Sequence, residues 1–67
     1  MGPKFKSGDR VKMLDGTRYA HGQVTIVRTN DHMIKNIPDE AIICKVLFDK
    51  DYDPDYWYYP EDELEIE

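Results

Sequence analysis

The stretch AIICKVLFDKDYDPDYWYYPEDELEIE, residues 41–67, decides how this chain folds. Its first part alternates: Ile42, Cys44, Val46 and Phe48 fall on one face, and Ile43, Lys45 and Leu47 on the other. That period of two is the pattern of a β-strand. A polar turn around Pro54 follows. Tyr56-Trp57-Tyr58-Tyr59 then reads as a second strand on aromatic content. Pro60 leads into Glu61, Asp62 and Glu63, where acids suit the positive end of a helix dipole, so a single tight 3-10 turn is expected. Glu65-Ile66-Glu67 closes as a short strand.

Working back toward the N-terminus, Ser7-Gly8-Asp9 supplies turn chemistry, and Val11 and Met13 alternate with Arg10 and Lys12. Residues 15–22 carry two glycines and read as a loop. Residues 23–29, QVTIVRT, read as a β-branched strand with Val24 and Ile26 facing inward. Residues 30–40 have no period and read as a long loop with room for one helical turn. Five short strands in 67 residues must curl and close, because a small flat sheet would leave one face wet and both edges open. The expectation is an all-β fold: a single domain, 1–67, built as a five-stranded barrel. Its expected core is Val11, Val24, Ile26, Cys44, Val46, Phe48, Trp57, Leu64 and Ile66.

The order GDRVKM, GQVTIV, CKVLFD, YWYY and PEDELEIE resembles the SH3-like small barrels across residues 5–67. Within that class the chain looks like KOW-, Tudor- and chromo-barrel-type modules. It is also similar to the carboxy-terminal barrel of nitrile hydratase β-subunits. The resemblance implies a barrel with a 3-10 turn before its last strand. It brings no catalytic residue, since the nitrile hydratase β-subunit is the partner of a metal-bearing subunit.

Composition narrows the function. A chain this short buries only about 60% of the surface its unfolded form exposes, which leaves little room for a deep catalytic cavity. Neither a nucleophile–base pair nor a ligand set is recognisable, so we expect no enzyme, no cofactor and no metal. Asp49, Asp51, Asp53 and Asp55 alternate like a calcium loop, but prolines or Tyr56 and Asp62 occupy the positions that need Gly and Glu. No apolar run approaches the length of a membrane helix, and the start has no apolar signal region. Cys44 is the only cysteine, so no internal disulfide is available and a cytoplasmic location is expected.

Charge is divided along the chain. Residues 1–48 carry eight Lys/Arg and five Asp/Glu, a net of +3; residues 49–67 carry one Lys and nine acids, a net of −8. Alternation puts Trp57 and Tyr59 on one face, expected inward near Val46 and Phe48, and Tyr56 and Tyr58 on the other, expected outward. Tyr52, Tyr56 and Tyr58 with Asp51, Asp53 and Asp55 are therefore the expected protein-binding face, suited to a partner with a basic surface. The alternative is a nucleic-acid-binding face at Lys12, Arg18, Tyr19 and Arg28. If the last strand pairs with the first, Glu65 and Glu67 lie near Arg10 and Lys12 and blunt that face. An acidic, aromatic-rich mimic of nucleic acid, of phage or mobile-element type, is a further alternative. Exposed strand edges permit a monomer or a weak dimer.

Overall fold

The computed structural model describes residues 2–67; Met1, part of the expected domain, lies outside it. The described residues form five antiparallel strands in one sheet: β1 (Arg10–Asp15), β2 (Arg18–Thr29), β3 (Ile42–Phe48), β4 (Tyr56–Pro60) and β5 (Glu65–Ile66). A 3-10 turn, Glu61–Glu63, precedes β5, and Pro60 caps it with an extended backbone. The order across the sheet is β4-β3-β2-β1-β5, so the last strand pairs with the first and β4 and β5 are the two edges.

Residues 18–22, expected as loop, belong instead to β2, which runs for 12 residues. The turn between β1 and β2 is only Gly16-Thr17, closed by Asp15 opposite Arg18. Gly16 takes a φ of 68°, which a side chain would resist, and so permits the tight reversal. The second glycine, Gly22, breaks nothing: it sits mid-strand, paired to Val11 on one side and to Phe48 on the other. A Cβ at Gly22 would lie 2.6 Å from the Leu47 carbonyl oxygen and 2.6 Å from Val46 Cγ1. The bare backbone is what lets β2 leave β1 and pass close over β3.

The core is Phe5, Val11, Met13, Ala20, Val24, Cys44, Val46 and Leu64, with Val27, Phe48 and Tyr59 packed against it. Three expected core residues are not in it. Ile26 is 43% exposed because a bulge between Val24 and Ile26 shifts the register, so Val27 takes the inward position. Ile66 is 63% exposed because two-residue β5 is a sheet edge with no strand beyond it. Trp57 lies opposite buried Val46, on the inward side as expected, yet it is 54% exposed. Its strand is the other edge, so the ring stands at the open rim.

Polar contacts hold the ends. Arg10 donates through both guanidinium nitrogens to the Asp49 carboxylate, and to Glu67 at 3.2 Å; His21 Nδ1 lies 3.3 Å from the same Glu67 carboxylate. These contacts join β1, β2, the end of β3 and the residue after β5. Lys4 Nζ donates to Asp62 at 2.7 Å, and the Lys4 N–H to Glu61 at 2.8 Å, which ties the N-terminal segment to the 3-10 turn. Burial pushes the Cys44 thiol up to about 11, so it stays protonated and inert at neutral pH.

Gly22→Ala is expected to destabilise the domain by about 1–3 kcal/mol, the range for overpacking against backbone, read as a lower midpoint in urea unfolding. The hydrogen bond from Arg10 holds the Asp49 carboxyl below its ordinary value. Its contribution is therefore intact above about pH 4, the unfolded carboxylate value, and is lost as pH falls through the lower folded value. Unfolding midpoints of the native protein below that pH should drop more steeply than those of Asp49→Asn.

Candidate functional site

Two grooves meet at Trp57. The first is lined by Asp15, Ala20, Phe48, Tyr52, Asp53, Pro54, Tyr56, Trp57 and Tyr59. Phe48 is its hub: Tyr52 packs edge-on to it with ring centroids 5.0 Å apart, and Tyr59 does so at 6.3 Å. Burial raises the Tyr59 phenol above its ordinary value, so it remains a neutral hydroxyl. The Asp53–Pro54 peptide bond in this wall is cis. The carboxylates of Asp15 and Asp53 give the aromatic floor an anionic rim.

The second groove follows the edge of the sheet. All five residues of β4, Tyr56 to Pro60, line it, facing Met33, Ile34, Lys35 and Ile37 of the β2–β3 loop, with Glu63 also in its wall. That loop is irregular but tightly built. Asn30 is fully buried, and its Nδ2 donates to the carbonyls of Ile34 at 3.0 Å and Ile37 at 2.8 Å. Its Oδ1 accepts from the Ile34 N–H at 2.8 Å, and its own N–H donates to the Ala41 carbonyl at 2.7 Å. One side chain thus replaces a helix or ladder in satisfying the loop backbone. Asp31 and His32 take positive φ values of 46° and 68° to close the turn, and the His32 N–H donates to Asp39 Oδ1 at 3.2 Å.

The expected protein-binding residues divide between the grooves. Tyr52 and Asp53 belong to the first. Tyr58, half-buried, belongs to the second, and Tyr56 lines both. Tyr56 and Tyr58 pack edge-on at 6.2 Å on the outer face, and Lys45 Nζ sits 4.5 Å from the Tyr56 ring centre. Asp51 and Asp55 are exposed in the turn and line neither groove. Three aromatics, Tyr56, Trp57 and Tyr59, line both grooves, and of these Trp57 was expected in the core. The loop wall of Met33, Ile34 and Ile37 was also missed; apolar residues in a stretch without period were its only signal.

The alternative set is less gathered. Lys12 Nζ lies 4.8 Å from the Tyr19 ring centre, and Arg18 is beside it at the β1–β2 hairpin. Arg28 lies at the far end of β2. Lys12 is paired opposite Glu65, and Arg10 meets Glu67, as pairing of the last strand with the first predicts; Arg10 also meets Asp49. Among the described residues no group of three or more His, Cys, Asp or Glu side chains is placed to hold a metal ion, and no helix is long and apolar enough to cross a membrane. No protein-family model, curated protein or solved structure matches this chain.

Asn30→Ala is expected to cost about 1–3 kcal/mol for each loop group left unsatisfied. Amide exchange should rise selectively over residues 31–41, while the strands keep their protection.

Proposed function

We propose that this domain is a non-enzymatic binding module that holds a protein partner through a basic surface. The observation that carries the proposal is Trp57: a tryptophan more than half exposed, set where two aromatic-lined grooves meet beneath carboxylates. Leaving such a side chain in water costs a folded domain its burial energy, and a partner that covers it recovers about 1.5–3 kcal/mol from the apolar area alone. Aromatic anchors in a desolvated pocket are the usual hot spots of interfaces, and they lose little entropy on binding.

Electrostatics choose the partner. The net of −8 over residues 49–67 surrounds Trp57 with acids on both flanks, which steers a basic surface toward the grooves and repels an acidic one. The same charge opposes self-association and favours a monomer, and the protonated, unpaired Cys44 suits the reducing cytoplasm. The likeness to SH3-like, KOW and Tudor modules agrees with a binding role but selects no ligand.

The test is capture of a basic partner from native lysate on the immobilised domain, with elution by salt. Trp57→Ala with Tyr56→Ala should lose the partner, a weakening of about 30-fold or more if two anchors contribute at least 2 kcal/mol. Lys12→Ala with Arg18→Ala should keep it. Loss only in the second variant, together with binding of mixed oligonucleotides at low salt, would move the site to the β1–β2 hairpin and make this a nucleic-acid module.

A further inference from the structure

The free edge of β4 is organised to receive another strand. Among the described residues β4 is hydrogen-bonded to β3 alone. Its register pairs Leu47 with Tyr56, Val46 with Trp57 and Cys44 with Tyr59, and the Phe48 N–H donates to the Asp55 carbonyl at 2.9 Å. In an antiparallel ladder, residues that exchange hydrogen bonds alternate with residues that do not. The Phe48–Asp55 bond therefore fixes Asp55, Trp57 and Tyr59 as the residues bonded to β3. The backbones of Tyr56, Tyr58 and Pro60 point the other way, toward the open edge, and all five β4 residues line the second groove. Pro60 falls where a missing N–H breaks no internal bond. What remains is a row of two donors, the Tyr56 and Tyr58 N–H groups, and three acceptors, the carbonyls of Tyr56, Tyr58 and Pro60.

Unpaired edges are usually blunted by an inward charge, a bulge or a covering loop. Here the β2–β3 loop stands across the groove as a wall, with Met33, Ile34 and Ile37 presented to the space beside the edge. We propose that this groove takes an extended segment of a partner protein by β-strand addition to β4, with a short apolar-alternating centre flanked by Lys or Arg. Backbone groups of the segment bond Tyr56 and Tyr58. Its side chains on one face pack along Trp57, and those on the other lie beside Tyr58.

Charge selects that occupant over a second copy of this chain. The groove itself carries one Lys35 and one Glu63, but its ends are acidic: Asp53 and Asp55 before β4, and Glu61 after it beside Asp62, whose charge is partnered by Lys4. Two β4 edges paired about a two-fold at Tyr58 would set Asp55 opposite Glu61 at each end, and like charges directly opposite are destabilising. Basic flanks on a foreign segment meet the same acids favourably.

This inference rests on the basic-partner assignment above, and the experiment separates the two. The probe is a synthetic peptide of alternating valine and threonine between two pairs of lysines. A second peptide of the same side chains is N-methylated at alternate amides, so that it cannot complete the ladder. Amide exchange of the domain is followed by NMR at low salt. The unmodified peptide should slow exchange at Tyr56 and Tyr58 at least tenfold, leave the Trp57 and Tyr59 amides as they were, and outbind the methylated peptide. Equal binding of both peptides without protection at Tyr56 and Tyr58 overturns strand addition while leaving a basic-surface module standing. Failure of both peptides to bind overturns strand addition of this segment, while the basic-surface module is judged by the lysate capture. Protection of Tyr56 and Tyr58 that grows with domain concentration in the absence of peptide assigns the edge to a second copy and overturns the foreign segment.

Discussion

The bare backbone at Gly22 governs the rest of the structure. At that residue β2 is still paired with Val11 of β1 and already paired with Phe48 of β3, with β3 side chain and carbonyl pressed where a Cβ would stand. One long strand can then serve two halves of the sheet, β5-β1-β2 and β2-β3-β4, without a connecting loop. Val24 follows inward, the bulge adds a residue, and Val27 resumes the inward phase. That bend lets a chain of 67 residues enclose Val11, Val24, Cys44 and Val46 completely.

The first and last strands in the sheet order, β4 and β5, do not pair, so two edges remain, and they are treated differently. β5 is short and latched by Arg10, whose guanidinium meets Asp49 and Glu67 while its carbonyl accepts the Glu67 N–H at 3.2 Å. These pairs are exposed, so each contributes little alone; their value is in fixing where the last residues lie. β4 has no such latch. It carries aromatic side chains on both faces, a free backbone row, and a wall across the gap held in place by one buried amide, Asn30. The contrast between a secured edge and an open one supports the proposed binding surface more than aromatic content does.

Much of the fold was legible because alternation is a local property. Val11 and Met13, Val24, and the Cys44–Val46 face announce their strands and directions directly. The turn of acids before β5 was equally plain. The errors came where a non-local fact overrules local pattern. Gly22 looks like a break unless the closeness of β3 is known, and Ile26 looks buried unless the bulge is known. Trp57 was assigned the correct face and the wrong burial, since nothing in four aromatic letters says that no strand lies beyond β4. For the same reason the sequence did not show how the proposed residues divide: Tyr56 lines both grooves, Tyr52 and Asp53 the first, Tyr58 the second, and Asp51 and Asp55 neither. Loop residues such as Met33 and Ile37 acquire a role only once Asn30 has folded the loop against itself.

Trp57 is also the single tryptophan of the chain, and four tyrosines, Tyr52, Tyr56, Tyr58 and Tyr59, share its grooves. Its indole is 54% exposed in the native state, so part of the ring still meets water. A ligand that dries the ring shifts the emission to the blue, and the neighbouring phenols feed it by energy transfer. A partner covering the proposed surface would therefore be reported optically by the domain itself, without a label.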